Sequence, residues 1–148
     1  MDQNDFDVLK LNNQLCFPLY ACARETIKLY TPHLDKLGLT YTQYITMMVL
    51  WEQKSLTAKA LGRILYLDSG TLTPLLKKLE NKGLLTRKRS AADERNLIVT
   101  ITEEGEALKQ EALHIPAVMS SCINLEKDEI QLLYRYLYKM LERAESGK

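Results

Sequence analysis

The sequence predicts a mainly helical α+β fold, in which two helices joined by a tight turn precede a β-hairpin. One apolar stripe at helical spacing defines the second of these helices, formed by Leu72, Leu75, Leu76 and Leu79. After Gly83 the pattern becomes strand-like, and residues 84–89 and 97–102 flank a loop rich in turn formers. Residues 54–102 are therefore predicted to form a winged helix-turn-helix, with the hairpin as the wing.

Capping residues support each boundary of this segment. Thr57 is suited to cap a first helix that begins at Ala58 and ends near Tyr66. Asp68 and Ser69 offer side-chain oxygens that open the second helix. Residues 82–83, a lysine followed by glycine, are typical of a helix C-terminus.

Charge is distributed unevenly along the chain. Between Lys54 and Arg95 there are ten Lys and Arg against four Asp and Glu, a net charge of +6. The whole 148-residue chain carries +1, so the remainder carries −5. An ordinary α/β segment with solvated charges would not explain this segregation, which is typical of a surface that binds a polyanion. We therefore predict binding to double-stranded DNA.

The predicted DNA contacts fall on the second helix and on the wing. Opposite the leucines, the helix carries side chains that suit base edges and phosphates, namely Ser69, Thr71, Thr73 and Lys77. On the wing, phosphate contacts are predicted for Arg87, Lys88 and Arg89. Arg95 is predicted to enter the minor groove, with Asp93 orienting it through a charge-assisted hydrogen bond.

Composition excludes several classes of protein. With 46% apolar and 26% charged residues, the chain is predicted to form a single globular domain over residues 1–148. No apolar run approaches the length of a membrane span and residues 1–5 are acidic, so we expect a cytoplasmic protein without membrane contact. Three cysteines without metal-ligand spacing predict no disulfide scaffold, no metal site and no cofactor. His33 and His114 are interpreted as isolated solvated or helix-end residues.

Helices are predicted on both sides of the winged segment. Residues 11–37 form a helical arm, capped by Asn12 or Asn13, that Pro32 should bend or interrupt. A largely buried helix then runs from about residue 41 to residue 53.

The C-terminal part is predicted to contain two more helices. The first starts near Glu103 and stops at Pro116, and an irregular stretch, residues 117–124, separates it from the last helix at about 126–144. The last helix has an apolar stripe larger than its own domain requires, although that stripe could simply be core. We predict a homodimer through residues 11–37 and 103–148, which would present two recognition helices to a palindromic operator.

These segments resemble the MarR family of bacterial transcription regulators over essentially the whole chain. The wing tip at residues 93–95 and the helix at residues 67–77 are similar to the family's wing signature and recognition helix. Residues 13–20, 39–44 and 50–52 resemble more narrowly the OhrR branch, the organic-hydroperoxide-sensing repressors. The resemblance implies a homodimeric repressor, not an enzyme, that leaves its operator when an organic hydroperoxide oxidises its N-terminal cysteine.

Cys16 is the candidate sensing residue. It lies near a helix start, where free N–H groups and the helix dipole stabilise a thiolate. No Lys or Arg lies within five residues, so neutral donors are favoured over a cation. The resemblance implies that two tyrosines from across the dimer interface surround the sulfur, at Tyr30 and Tyr41, with Tyr20 nearby. The alternative is a small buried hydrophobic residue.

The other two cysteines receive different interpretations. Cys22 is six residues from Cys16, about 240° around a helix, and is interpreted as a core residue. Cys122 matches the region in which two-cysteine members of the branch carry a resolving cysteine, and the resemblance implies a disulfide between subunits. A low-molecular-weight cellular thiol as the partner of Cys16 stays open.

Two competing functions follow from the same residues. A MarR-type repressor could respond to an aromatic or phenolic ligand held near Tyr20, Tyr30, Tyr41 and Tyr44, without cysteine chemistry. A thiol peroxidase would use Cys16 and Cys122, but no Arg lies close in sequence to polarise a peroxide.

Overall fold

The computed structural model describes residues 6–147 and contains seven α-helices and three strands within that range. The helices are α1 (Cys16–Asp35), α2 (Tyr41–Gln53), α3 (Ala58–Leu65), α4 (Ser69–Asn81), α5 (Glu103–Ala112), α6 (Ile115–Ser121) and α7 (Lys127–Ser146). The strands are β1 (Ser55–Thr57), β2 (Leu85–Arg89) and β3 (Leu97–Ile101). They form one antiparallel sheet in the order β1-β3-β2, which confirms the predicted mainly helical α+β class.

The predicted caps of the winged segment are present. Thr57 accepts a hydrogen bond from the Ala60 N–H, and Asp68 accepts one from the Thr71 N–H at 2.8 Å. This bond holds the pKa of Asp68 below its ordinary value, since the carboxylate is the better acceptor. Gly83 follows α4 with a φ of +75°, as expected for a residue at a helix C-terminus.

Strand β1 was not predicted from the sequence. Its three residues pair with Thr100, Val99 and Ile98 of β3. Ser55, Leu56 and Thr57 alternate between polar and apolar, but three residues are too few for such an alternation to predict a strand. Its pairing with β3 adds a third strand to the predicted hairpin and ties the wing to the start of α3.

Two close contacts hold α5 against α2 and against the base of the wing. The Trp51 indole N–H donates to the Gly105 carbonyl oxygen at 2.8 Å, and this bond is buried. A Cβ on Gly105 would overlap the carbonyl oxygen of Leu84 and lie 2.8 Å from Cγ1 of Ile101. The residue at this position must therefore be glycine for α5 to lie so close to the base of the wing.

The predicted boundaries of the helical arm need correction. Helix α1 begins at Cys16 without a side-chain cap, and the Asn13 side chain instead donates to the Asp7 carbonyl oxygen. Residues 7–9 and 11–13 form two short 3-10 helices ahead of it. The helix also continues through Pro32 to Asp35, so the predicted interruption is wrong, whereas the alternative of a bend stays a prediction. A proline removes a single N–H donor, which a twenty-residue helix tolerates.

The irregular stretch predicted for residues 117–124 is wrong for residues 117–121, which belong to α6, and is confirmed for residues 122–124. Pro116 is the second residue of this helix, and α5 already ends at Ala112. At the second position of a helix the missing N–H of proline has no intrahelical partner to lose.

The chain divides into two compact units, Met1–Ile115 and Pro116–Lys148. In the second unit, α7 has no buried residue, and most of its apolar side chains, among them Ile130 and Leu133, are exposed, whereas Leu137 and Leu141 are half-buried. The Tyr134 and Tyr138 rings on α7 lie 4.6 Å apart. Among the described residues, no helix combines the length and hydropathy that crossing a membrane requires.

Candidate functional site

Cys16 is the first residue of α1 and is exposed. The first turn of this helix contains no acidic residue, and Leu15 at the N-cap provides no side-chain acceptor. Cys16 therefore lies at the positive end of the helix dipole, beside N–H groups without an intrahelical acceptor, at a place that solutes can reach. The nearest lysine in sequence, Lys10, pairs with Asp7 at 2.8 Å.

Three tyrosines form a cluster at the other end of α1. The Tyr30 ring lies 5.0 Å from the Tyr41 ring and 5.9 Å from the Tyr44 ring. Burial raises the pKa of all three phenols, and the neighbouring tyrosines add to the effect at Tyr30 and Tyr44. A phenol is already protonated at neutral pH and the raised pKa does not change this, so these hydroxyls can act as hydrogen-bond donors.

Tyr20 contacts Arg24 and not the tyrosine cluster. Its hydroxyl and ring both interact with Arg24, one turn along α1, and the guanidinium carbon lies 5.4 Å from the ring centroid. Of the predicted thiolate donors, the structure thus brings together Tyr30 and Tyr41. It adds Tyr44, which the sequence suggested only as part of a ligand pocket.

Of the two remaining cysteines, only Cys22 differs from expectation. Cys22 is exposed on α1, so its assignment to the core is wrong for the single chain; the helical period places a residue on a face but does not show what covers that face. Cys122 follows α6 directly, is exposed, and its thiol donates to the Val118 carbonyl oxygen at 3.5 Å. Both thiols are therefore accessible in the isolated chain.

The recognition helix has the two faces that the sequence predicts. Its leucine stripe is buried in the winged unit, at Leu72, Leu75, Leu76 and Leu79. The predicted DNA-binding side chains of this helix are all exposed, namely Ser69, Thr71, Thr73 and Lys77. Pro74 lies inside the helix, which nevertheless remains continuous from Ser69 to Asn81.

At the wing tip, Arg95 and Asp93 form the predicted pair. Arg95 Nε lies 3.1 Å from Asp93 Oδ1, and Nη2 lies 3.3 Å from Oδ2. This pairing lowers the pKa of the Asp93 carboxyl. The Arg95 side chain is still 91% exposed, so it is oriented by Asp93 and remains available to a ligand.

Arg87 differs from the other basic wing residues. Its guanidinium donates to Glu80 Oε1 from Nη2 at 3.1 Å, and its backbone N–H donates to Oε2 at 2.8 Å. These bonds lower the pKa of Glu80 and join the end of α4 to β2. Lys88 and Arg89, by contrast, are exposed. No signal in the sequence identified Glu80, because the pair forms between two different elements.

His33 and His114 are not isolated, contrary to the prediction. Their rings lie 6.0 Å apart in an edge-to-face arrangement, and His114 Nδ1 lies 3.0 Å from the Glu111 carbonyl oxygen. Eighty-one positions separate the two residues in the sequence, so only tertiary packing could reveal the contact. Within residues 6–147 no group of three or more His, Cys, Asp or Glu is arranged to hold a metal ion.

Comparison with known proteins gives a family. A family model described as transcriptional regulator SarA/Rot matches residues 28–112. The organic hydroperoxide resistance transcriptional regulator of Bacillus subtilis is 49% identical over 140 residues, which is 95% of each chain. The HTH-type transcriptional regulator SarZ of Staphylococcus haemolyticus is 46% identical over 119 residues, covering 80% of this chain and 81% of SarZ.

Solved structures of AbfR, a Staphylococcus epidermidis protein, are also similar. Reduced AbfR bound to DNA superposes with a TM-score of 0.78 at 36% identity, covering 95% of this chain and 98% of AbfR. Overoxidised AbfR bound to DNA gives 0.76 at 37% identity with the same coverage, and disulfide-formed AbfR gives 0.62 at 36%, covering 93% and 99%. With its winged helix-turn-helix, this chain belongs to the MarR family of transcription regulators, in the branch of the organic hydroperoxide resistance regulators.

Proposed function

We propose that this protein is a DNA-binding repressor that senses organic hydroperoxides by oxidation of Cys16 and then releases its operator. The observation that carries the proposal is the position of Cys16, exposed at the first residue of α1, in a chain 49% identical to an organic hydroperoxide resistance regulator. A thiol at a helix N-terminus combines access with stabilisation of the thiolate, the reactive form.

The same geometry supports a homodimer. Cys16 and Tyr30 lie on one continuous helix, fourteen residues apart, so their Cα atoms are separated by ~21 Å along its axis. Tyr30 and Tyr41 therefore cannot reach the Cys16 of their own chain, since a tyrosine side chain spans far less than this distance. If these hydroxyls stabilise the thiolate, they belong to a second copy, and the exposed apolar face of α7 provides surface for that association.

The proposed reaction is a two-electron oxidation of the thiolate. The Cys16 sulfur attacks the terminal oxygen of the hydroperoxide, an S–O bond forms and the O–O bond breaks. The alkoxide leaving group takes a proton and departs as an alcohol, while Cys16 becomes a sulfenic acid. A second thiol then attacks this sulfur, forming a disulfide and expelling water.

For the second thiol we propose Cys122 of the other subunit. Support comes from its exposure next to α6 and from AbfR, which has been solved in a disulfide form. AbfR has also been solved overoxidised and bound to DNA, which favours the disulfide, rather than oxidation alone, as the releasing event. A small cellular thiol is the competing partner of Cys16.

On DNA, we propose that α4 enters the major groove through Ser69, Thr71, Thr73 and Lys77, and that Arg95 enters the minor groove. Lys88 and Arg89 are available for phosphates, and we propose Arg87 as a further contact that Glu80 orients. The regulated site should be a palindrome, since a symmetric dimer presents two such units.

The direct test is a titration of the purified protein against DNA from its own upstream region, with and without an organic hydroperoxide, followed by non-reducing electrophoresis. Release with a covalent dimer band is expected. Release without that band, seen only when a small thiol is added together with the hydroperoxide, would assign the second thiol to a small molecule. A protein that stays bound at every peroxide concentration would contradict the proposed signal.

Replacing Cys122 by serine distinguishes a disulfide between subunits from a disulfide between Cys16 and a small cellular thiol. Peroxide treatment should then give no covalent dimer, because the sulfenic acid on Cys16 lacks its proposed protein partner. The Cys22→Ser variant is the matched control and should form the dimer as the wild type does. A dimer band that persists in Cys122→Ser and disappears in Cys22→Ser would reassign the resolving thiol.

Replacing Arg95 by alanine should weaken operator binding by roughly tenfold, the usual effect of removing one groove contact. The slope of log Kd against log salt should also fall by about one. Lys109→Ala, which removes one exposed charge from α5, controls for the change in net charge and should bind as the wild type does. Equal losses in both variants would mean that Arg95 acts only through long-range electrostatics.

A further inference from the structure

Lys82 joins the end of the recognition helix to the turn between α1 and α2. It follows α4 directly, and its ammonium donates to the carbonyl oxygen of Gly38 and, at 3.1 Å, to Oε1 of Gln43. Gly38 lies in the turn after α1, and Gln43 lies in the first turn of α2. The Lys82 side chain thus binds one residue before the start of α2 and one residue in its first turn.

Gln43 already has a structural role in that turn. Its Oε1 accepts the Thr40 backbone N–H at 3.1 Å, and the Thr40 hydroxyl accepts the Gln43 N–H at 3.3 Å. These two bonds form a capping box, and the Gln43 residue is only 3% exposed. Gln43 Oε1, which Lys82 binds, is therefore part of the capping box that stabilises the first turn of α2.

Tyr41 lies inside this capping box. It is the first residue of α2, and its ring is in contact with that of Tyr30. A displacement of Tyr41 would move the backbone between Thr40 and Gln43, and with it one acceptor of Lys82. The candidate thiolate donor and the recognition helix are therefore connected by two hydrogen-bonded steps.

Resting on the proposed function, we propose that Lys82 is a positioning residue that couples the tyrosine-bearing turn to the recognition helix. In the reduced dimer its two hydrogen bonds hold α4 against the start of α2. Oxidation of Cys16 displaces Tyr41, the turn shifts, and the Lys82 bonds are lost. The link thus stabilises the DNA-binding state alone, and this preference for one state is what coupling requires.

The alternative role for Lys82 is an ordinary phosphate contact, since it lies in the basic segment of the chain. The two roles make different predictions. A phosphate contact would strengthen binding in the reduced and oxidised states alike and would contribute to the salt dependence. A link confined to the reduced state would change the ratio of the two affinities and leave the salt dependence unchanged.

The test replaces Lys82 by methionine, which retains the length of the side chain and removes the ammonium. Lys82→Arg restores a charged donor, and Lys36→Met is the matched control. Lys36 is an exposed cation two residues before Gly38 and makes no ion pair or side-chain hydrogen bond with another described residue. The Kd for operator DNA is measured before and after treatment with an organic hydroperoxide, at several salt concentrations, together with the melting temperature.

The ratio of oxidised to reduced Kd should fall at least ~5-fold in Lys82→Met, with an unchanged salt slope, because only the reduced state loses the link. Lys36→Met should match the wild type, and Lys82→Arg should recover most of the ratio. If Lys82→Met does not fold, Lys82→Gln takes its place. This variant retains a neutral donor, so the ratio of oxidised to reduced Kd should fall by a smaller factor.

Two results would overturn the inference. One is an unchanged ratio despite a lower melting temperature, which would make Lys82 a structural residue only. The other is a salt slope reduced by about one with an unchanged ratio, which would make it a phosphate contact. If the oxidised and reduced wild-type proteins bind the operator with the same Kd, the proposed function itself is contradicted, and the proposed coupling is contradicted as well.

Discussion

Replacement of Cys16 by serine is expected to abolish release by organic hydroperoxide and to leave operator binding intact. Serine retains the size of the side chain and its place at the first turn of α1, so the winged unit should be unaffected. It cannot form a sulfenic acid or a disulfide under these conditions. In wild-type protein, peroxide should raise the Kd on the order of 10- to 100-fold, the usual range of a coupling between two sites, and in the variant the ratio should be close to one.

Cys22 provides the matched control for this experiment, because it lies on the same helix and is also exposed in the chain. Cys22→Ser should respond to peroxide as the wild type does. Release that survives in Cys16→Ser would disprove the redox mechanism and would favour a repressor that responds to a small aromatic ligand. Equal loss of the response in both variants would show that Cys16 is not uniquely the sensor.

The second large effect is expected at Gly105. Alanine at this position would place a methyl group against the Leu84 carbonyl oxygen, which is part of the backbone and cannot rotate away, and close to Ile101 and the buried Met47. Helix α5 would have to move away from the base of the wing, which also strains the buried Trp51 bond. We expect a loss of about 3 kcal/mol in the free energy of unfolding. By calorimetry, the melting temperature should fall by roughly 10 °C.

Gly147→Ala is the control for Gly105→Ala. The nearest atom to a Cβ at Gly147 is the Arg143 carbonyl oxygen at 3.7 Å, an ordinary van der Waals distance, so this change should leave the melting temperature almost unaltered. A Gly105→Ala protein that melts with the wild type would mean that α5 can shift without cost. In that case the close approach of α5 to Leu84 would not be needed for the wing to form.

The tyrosine cluster explains why the proposed sensor needs no nearby cation. Phenol hydroxyls are protonated at neutral pH, and burial raises the pKa of Tyr30, Tyr41 and Tyr44 further, so these groups are available as donors to an anionic sulfur. The cluster also lies next to the capping box of α2, which Lys82 binds. Under the proposed coupling, oxidation of Cys16 in one subunit would change the orientation of α4 in the other through this short segment of backbone.

Features with a local signal were predictable from the sequence. The caps at Thr57 and Asp68, the leucine stripe of α4 and the end of α4 before Gly83 all depend on residues a few positions apart. The same holds for the Asp93–Arg95 pair, which joins residues two positions apart. Helical periodicity and capping are properties of neighbouring residues, and a single chain displays them directly.

Other features arise only when distant elements pack together. The β1–β3 pairing, the Glu80–Arg87 bond, the His33–His114 contact and the bonds of Lys82 to Gly38 and Gln43 each join different elements of the fold. The exposure of Cys22 likewise depends on what covers one face of α1. Such contacts leave no periodic trace, because which residues meet depends on how helices and strands pack in three dimensions.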